Sequence, residues 1–189
     1  MAIKPVRVRM VADPISPVEE LRFPAGYHLR YFRPGEEGDW AEIETAAGEF
    51  ASVDEALARF NSEFAPHLEQ MQSRCLFLVG PDGRLIGTAT AWWNDEFRGG
   101  GWGRLHWVGI HRDFQGLGLA RPLVVAAVNR LAQLHERAYL TSKTTSLKAI
   151  KLYLDYGFSP DLSLEGSGEG WQILADLLQH PKLQATTGK

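Results

Sequence analysis

Apolar and polar residues alternate along several short segments of this chain, a pattern typical of β-strands. Alternation over Tyr27–Phe32 ends at a Pro-Gly turn, and the apolar runs Cys75–Val79 and Leu85–Trp93 flank the sequence Gly-Pro-Asp-Gly. We therefore expect a strand followed by a β-hairpin, because Asp-Gly readily supplies the positive φ of a hairpin turn. Residues 1–25 alternate at first and then contain several prolines, which predicts an edge strand or arm.

Helical spacing of apolar residues marks two segments in the first half of the chain. A short helix is predicted over Trp40–Thr45, opened by Gly-Asp. Ser52 is followed three residues later by Glu55, which is the signature of a capping box, and apolar residues then recur at helical spacing to about Met71. We expect one continuous helix from the capping box to Met71.

A strand, a helix and a second strand follow one another in the middle of the chain. The strand over Arg104–Ile110 leads through a glycine-bearing loop into a helix over Gly118–Leu134, and Ala138–Ser142 is a further strand. These lengths predict a parallel βαβ unit. Four glycines in Asp95–Gly103 predict a mobile surface connection that is too flexible to pack.

The last part of the chain contains one more helix with a clear end. It follows Ser146 and stops at Gly157, a residue type favoured just after a helix C-terminus. Phe158 then restarts an extended segment. The apolar segment Trp171–Leu178 fits a strand or a helix.

Composition narrows the classes of function. The chain has 189 residues, 44% of them hydrophobic, which suits one globular domain with a real core. A net charge of -3 argues against nucleic acid as a partner, because such proteins carry a basic face. Cys75 is the only cysteine, so no internal disulfide forms and a cytoplasmic setting is the default. The longest apolar run, Leu123–Val128, is far shorter than the roughly 18 residues of a membrane span.

The loop Gln115–Ala120 lies where a strand ends and a helix begins. Unpaired N–H groups of the loop and of the first helical turn meet the positive end of the helix dipole there, which favours a diphosphate. Pro122 fits this placement because the first helical turn needs no N–H at that position. Glycines at 116 and 118 would let a ligand approach the backbone. An ordinary tight turn fits the same six residues equally well.

A second motif, in Ser146–Phe158, presents a tyrosine one turn before a Gly-Phe stop. Together with the loop it resembles the GNAT superfamily of acyl-CoA-dependent N-acetyltransferases, whose phosphate loop follows Gln/Arg-x-x-Gly-x-Gly/Ala and whose later helix reads approximately Asn-x-x-Ala-x-x-x-Tyr-x-x-x-Gly-Phe. The matching positions are Gln115, Gly118, Ala120, Ala149, Tyr153, Gly157 and Phe158. Ser146 stands where the family often has asparagine, so its hydroxyl would contact pantetheine or cap the helix instead. The two motifs are specific to the family and not to a substrate.

The resemblance implies a mixed α/β fold over residues 26–189, antiparallel in its first half and parallel around a CoA site, preceded by the arm 1–25. It implies acetyl-CoA as co-substrate, with the pyrophosphate on backbone N–H groups of the loop and the pantetheine arm along the strand that contains Val108 and Ile110. Tyr153 corresponds to the family tyrosine that protonates the departing thiolate. The coenzyme-binding positions implied are Val108, Ile110, Gln115, Gly116, Leu117, Gly118, Leu119, Ala120, Arg121, Ser146 and Ala149.

An amine acceptor needs a base, because a group with a pKa of about 10 is mostly protonated at pH 7. His106 lies on the strand that continues into the loop, and an imidazole can take that proton directly or through water. A histidine held by the sheet for packing is the other explanation. Strict alternation would place His106, Val108 and Ile110 on one face and Trp107 on the other.

The expected function is transfer of an acetyl group to a small-molecule or peptide amine in a ternary complex, without an acyl-enzyme. Two alternatives stay open, a non-catalytic acyl-CoA sensor of the same fold and a different nucleotide-binding βαβ domain. The six histidines show no His-Glu-x-x-His spacing, so no metal site is expected. Neither a membrane nor nucleic acid is an expected partner, and the oligomeric state is left open, a homodimer included.

Overall fold

The computed structural model describes residues 3–187 of the chain. Its strands are β1 (Arg7–Ala12), β2 (His28–Tyr31), β3 (Cys75–Val79), β4 (Leu85–Asn94), β5 (Trp102–Ile110), β6 (Ala138–Lys143) and β7 (Ser159–Pro160). Its α-helices are α1 (Glu37–Ala47), α2 (Val53–Glu63), α3 (Leu68–Arg74), α4 (Ala120–Leu134), α5 (Leu147–Asp155), α6 (Gly168–Leu178) and α7 (Pro181–Thr187). This arrangement confirms the predicted mixed α/β class.

The residues cluster into two compact units. One, called the terminal unit below, comprises Met1–Val18, Trp93–Arg104 and Leu131–Lys189. The other, called the central unit, comprises Glu19–Trp92 and Leu105–Arg130. Strands β4 and β5 and helix α4 therefore each belong in part to both units.

In the terminal unit the strands hydrogen-bond in the order β5, β6, β1, β7. β1 is antiparallel to β6 along its whole length and also pairs with β7. The prediction of an edge strand near the N-terminus is therefore wrong, because β1 has a neighbour on each side. Its alternate side chains Val8, Met10 and Ala12 are buried, which gives this strand a core face. The boundary between an arm and a domain at residue 25 stays a prediction.

The pairing of β5 with β6 is parallel, which confirms the predicted βαβ connection through α4. Gly103 lies opposite Ala138, and Arg104 lies opposite Tyr139. A Cβ atom on Gly103 would come within 2.8 Å of the Leu131 side chain in α4. Glycine is therefore needed here for the strand to pack closely on the helix.

The connection between β4 and β5 is anchored by two side chains. Phe97 stacks on Tyr139 with ring centroids 4.0 Å apart, and Arg98 donates to the Asp161 carboxylate at 2.9 Å. The prediction of a connection too flexible to pack is wrong. Its glycines flank a phenylalanine and an arginine, and both side chains find partners.

In the central unit the strands hydrogen-bond in the order β2, β3, β4, β5. β2 and β3 are antiparallel, as are β3 and β4, and all five residues of β3 are buried. Gly83 has φ +84 in the turn before β4. The predicted hairpin and its glycine turn are confirmed.

The helix predicted from Ser52 to Met71 is divided into two. Ser52 caps α2 as expected, with its Oγ accepting from the Glu55 backbone N–H at 3.2 Å. α2 ends at Glu63, a 3₁₀ turn covers Ala65–His67, and α3 follows. The break falls at Pro66, which has no N–H for a helical hydrogen bond.

Helix α5 ends at the predicted glycine, since Gly157 has φ +102. The undecided segment Trp171–Leu178 is helical and forms most of α6. In α7, Lys182 donates from Nζ to the backbone carbonyls of Leu154 and Phe158, at 2.8 and 3.0 Å. None of the helices among the described residues is both long and apolar enough to cross a membrane.

Candidate active site

The loop between β5 and α4, residues 111–119, is called the glycine loop below. Gly116 and Gly118 adopt φ +82 and +78, a left-handed conformation that residues with a Cβ atom rarely take. Open space surrounds both positions, with no heavy atom within 4 Å of a Cβ built on either glycine. The backbone of the loop is therefore exposed to a ligand at the point where α4 begins.

Two contacts fix the glycine loop to β5 and to the core of the central unit. Gln115 donates from its side-chain amide to the Ile110 backbone carbonyl at 2.9 Å. Leu119 is buried and packs with Leu78 and Ile86. Leu117, by contrast, is half-exposed. The Gln115 side chain thus braces the loop, and a role of these residues in coenzyme binding stays a prediction.

The first turn of α4 supplies the expected positive helix end. Its leading N–H groups have no partner within the helix, and the helix dipole places about half a positive charge there. Pro122 is buried in this turn, where its missing N–H removes no helical bond. Arg121 is exposed beside it and adds a cation near the loop.

His106 lies on β5 in the central unit, and its side chain is buried. Its Nε2 atom is 2.5 Å from Oε1 of Glu63, the last residue of α2. The neighbouring Trp107 donates from Nε1 to Oε2 of the same carboxylate at 3.0 Å. His106 and Trp107 therefore share one partner.

The prediction that side chains alternate strictly between the two faces of β5 is wrong, because the backbone at Trp107 is irregular. Its φ is +45, so two consecutive side chains turn toward α2. Beyond it Gly109 faces α1, because a Cβ there would lie 2.9 Å from Oε1 of Glu44. Ile110 packs against the cluster of Leu78 and Ile86. His106 and Ile110 consequently do not share a face, contrary to the expectation from a period of two.

Glu44 is a second acid that faces β5. It is fully buried, and neither carboxyl oxygen has a hydrogen-bond partner among the described residues. Burial raises the pKa of Glu44 well above its usual value, and the nearby charge of Glu49 raises it further. This carboxyl therefore holds its proton to a higher pH than an exposed glutamate does.

Tyr153 lies on α5 in the terminal unit, and its side chain is buried. Its ring contacts that of Phe158 edge to face, with centroids 6.3 Å apart. Ser146 precedes the same helix without a capping hydrogen bond from its hydroxyl, and Ala149 is half-buried. The capping role of Ser146 is not observed, and its contact with pantetheine stays a prediction.

The sequence alone carries no sign of Glu63, because its pairing depends on the irregular backbone at Trp107. The burial of Glu44 could have been predicted, because it follows Trp40 by one helical turn and so lies on the same face of α1. No group of three or more histidine, cysteine, aspartate or glutamate side chains within residues 3–184 is arranged to hold a metal ion.

The fold and the loop geometry agree with a comparison against family models. Residues 37–158 match the model described as the acetyltransferase (GNAT) family. Because the match covers more than half of the chain, this protein belongs to that family. The resemblance inferred from the two motifs is confirmed.

Solved structures of the same family share the fold. A GCN5-related N-acetyltransferase from Sphaerobacter thermophilus is 24% identical, with a TM-score of 0.63 over 84% of this chain and 50% of that one. An acetyltransferase from Colwellia psychrerythraea is 10% identical, with a TM-score of 0.63 over 83% and 53%. A putative acetyltransferase from Novosphingobium aromaticivorans is 20% identical, with a TM-score of 0.56 over 82% and 59%. This chain thus spans between half and three fifths of these proteins, and no curated protein matches it.

Proposed function

We propose that this protein transfers an acetyl group from acetyl-CoA to a primary amine of a small molecule or peptide. The single observation that carries the proposal is the glycine loop, where Gly116 and Gly118 hold an exposed backbone at the N-terminus of α4. An anion binds well in such a place because backbone N–H groups and the helix dipole act together. Membership of the acetyltransferase family supports the diphosphate of CoA as that anion.

Coenzyme binding would use the backbone more than side chains. The N–H groups from Gln115 to Arg121 would hold the pyrophosphate, and backbone groups of Val108 and Ile110 would pair with the pantetheine arm. The family resemblance adds Ser146 and Ala149 as proposed pantetheine contacts. The exposure of the glycine loop fits this role, because a ligand can reach its amides without displacing protein atoms.

The chemistry needs one base and one acid. The acceptor amine loses a proton to His106, its nitrogen attacks the thioester carbonyl carbon, and the C–S bond breaks as Tyr153 gives a proton to the departing thiolate. The second proton released by the nitrogen restores the Tyr153 hydroxyl. An acyl-cysteine intermediate finds no support, since burial raises the pKa of Cys75, the only cysteine of the chain, to about 11. A cytoplasmic location is part of the proposal, as the default for a chain whose single cysteine leaves no internal disulfide to form.

Coenzyme binding is tested with a matched pair of glycine variants. Gly118→Ala and Gly48→Ala both place a Cβ atom at positive φ in open space, so each costs about 1–2 kcal/mol of strain. Only Gly118→Ala should weaken CoA binding in calorimetry, because Gly48 lies at the end of α1. Equal affinity of both variants, or no binding to the wild type at millimolar CoA, would contradict the proposal.

Turnover is tested by thiol release from acetyl-CoA in the presence of a panel of amines. Tyr153→Phe should lower kcat about 10²–10⁴-fold without a matching change in coenzyme affinity. Unchanged kcat would remove Tyr153 from the mechanism. Coenzyme binding without release of thiol, for any amine, would indicate a non-catalytic acyl-CoA sensor.

A further inference from the structure

The Glu63 carboxylate lies between two ring nitrogens from consecutive residues of β5. His106 Nε2 lies 2.5 Å from Oε1, and Trp107 Nε1 donates to Oε2 at 3.0 Å. The His106 side chain is 8% exposed and that of Glu63 is 21% exposed, so both groups are largely shielded from water. Each carboxylate oxygen therefore has its own partner, and the carboxylate cannot turn without losing one of them.

We propose that Glu63 is a positioning residue that keeps the proton of neutral His106 on Nε2, so that Nδ1 is the atom that accepts a proton from the acceptor amine. This inference rests on the proposed function, in which His106 is the base. It adds Glu63 and Trp107 to that site as the groups that select the tautomer of the base.

The chemistry of the three groups leads to this tautomer. An ionised Glu63 carboxylate only accepts hydrogen bonds. Nε2 of His106 must therefore carry hydrogen in order to face Oε1. The indole of Trp107 only donates, so Oε2 is committed to it and cannot take over the role of Oε1.

The irregular backbone at Trp107 is what makes the shared contact. In a regular strand consecutive side chains point to opposite faces, and the indole would lie away from Glu63. The positive φ of Trp107 turns it to the same side as His106. A left-handed conformation is unfavourable for a bulky residue and persists only where the surroundings enforce it, which is common at functional sites.

The proton balance is simple. One proton passes from the acceptor amine to Nδ1, which gives an imidazolium whose positive charge faces the Glu63 carboxylate. The neutral amine then attacks the thioester carbon and the C–S bond breaks, with the thiolate taking its proton from Tyr153. The nitrogen releases its second proton as the amide forms, and this proton replaces the one that Tyr153 gave up. The imidazolium returns its proton to water before the next cycle.

The isosteric variant Glu63→Gln tests the tautomer directly. Glutamine offers one carbonyl oxygen and one amide NH₂ group, whereas Glu63 offers two accepting oxygens. Trp107 can only donate, so the glutamine oxygen should face the indole and its NH₂ should face His106. Nε2 must then accept, and neutral His106 should move its proton to Nδ1.

The measurement is the ¹⁵N chemical shift of each ring nitrogen of His106, recorded in labelled protein without coenzyme at a pH where the ring is neutral. We expect protonated Nε2 in the wild type and protonated Nδ1 in Glu63→Gln. The double variant Glu63→Gln with Trp107→Phe frees the glutamine oxygen and should return the proton to Nε2. An unchanged tautomer in Glu63→Gln would overturn the proposal.

Kinetics connect the tautomer to turnover. kcat should fall about 10²–10⁴-fold in Glu63→Gln, with little change in KM for acetyl-CoA, and should recover in the double variant. A tautomer that moves without any loss of kcat would overturn the catalytic part of the proposal. Absence of turnover in the wild type would instead contradict the proposed function, and the ¹⁵N measurement would still decide the role of Glu63.

Discussion

Two glutamates of the central unit face β5 and have opposite surroundings. Glu44 in α1 is fully buried against Gly109, and neither of its oxygens has a hydrogen-bond partner among the described residues. Glu63 at the end of α2 is partly exposed and faces two ring nitrogens. The difference lies on the strand, because Gly109 presents no side chain whereas the irregular backbone at Trp107 presents two polar rings.

This comparison shows that the facing strand decides what a helical carboxyl can do. Burial without a hydrogen-bond donor raises the pKa of Glu44, which favours the neutral form of this carboxyl. Two ring nitrogens, one at each oxygen, hold Glu63 in one orientation, and we propose that it positions the base. The same residue type, one helix apart, is thus inert in one place and proposed to be functional in the other.

The largest expected effect comes from making the same change at both positions. Glu63→Gln should reduce kcat about 10²–10⁴-fold because it disturbs the proposed base. Glu44→Gln should leave kcat unchanged, since the Glu44 carboxyl has no hydrogen-bond partner among the described residues and takes no part in the proposed proton transfer. Thiol release under saturating acetyl-CoA measures both. Similar losses in the two variants would remove the distinction between the two acids.

The next effect is on stability, at the glycine that makes room for Glu44. Gly109→Ala would place a Cβ atom 2.9 Å from Glu44 Oε1 and 3.2 Å from the Ala47 Cβ. We expect a loss of about 1–3 kcal/mol in the free energy of unfolding, measured with urea, because the site is overpacked. Adding Glu44→Ala should restore part of that loss. A fully stable Gly109→Ala protein would show that the carboxyl moves aside at no cost.

A smaller effect is the pH dependence of stability. The unfolded chain releases the Glu44 proton near pH 4.5, whereas the folded protein retains it to a higher pH. Stability of the wild type is therefore lost as the pH rises above 4.5, at no more than about 1.4 kcal/mol per pH unit, until the folded group also ionises. Glu44→Gln removes this contribution.

Urea unfolding from pH 4.5 to 7.5 checks the difference between the two proteins. The variant should gain stability relative to the wild type as the pH rises. Groups such as Asp161, whose pKa is lowered by Ser163 and Arg9 despite its burial, act in the opposite sense but are common to both proteins and cancel. A constant difference would mean that Glu44 ionises normally in the folded state.

The smallest effect concerns the indole that binds Glu63. Trp107→Phe removes one hydrogen bond and should cost about 0.5–1.5 kcal/mol of unfolding free energy. Trp93→Phe is its control, since Trp93 donates to an exposed partner, Asp95, at 3.1 Å. Urea denaturation should show a smaller loss for the control. Equal losses would mean that the Glu63 contact adds no stability.

Much of the fold could be predicted because local signals decided it. The Ser52–Glu55 capping box, the Asp-Gly turn and the glycine after α5 each act over a few residues, and each was confirmed. The family was predicted from two motifs. Both contain glycines at positions where the backbone takes a positive φ. The predictions failed where residues distant in sequence determine the structure. One example is β1, which is not an edge strand because it lies between β6 and β7.

The candidate site was predictable only in part. Gly116 and Gly118 have the left-handed backbone that the motif requires, and His106 was identified from its place on the strand. Its partner Glu63 could not be found, because the pairing needs an irregular residue that no spacing rule anticipates. Likewise, Pro66 divides a helix that apolar periodicity alone extends to Met71.

The contacts of Lys182 make the last helix part of the support of α5. Its ammonium donates to two backbone carbonyls at the C-terminal end of α5, the helix that carries Tyr153. His180, just before α7, also lies 3.2 Å from Asp155 of α5. A shortened chain that stops before this lysine would leave those carbonyls to water and loosen the end of that helix. Truncation points, fusion joints and affinity tags are therefore better placed after α7 than within it.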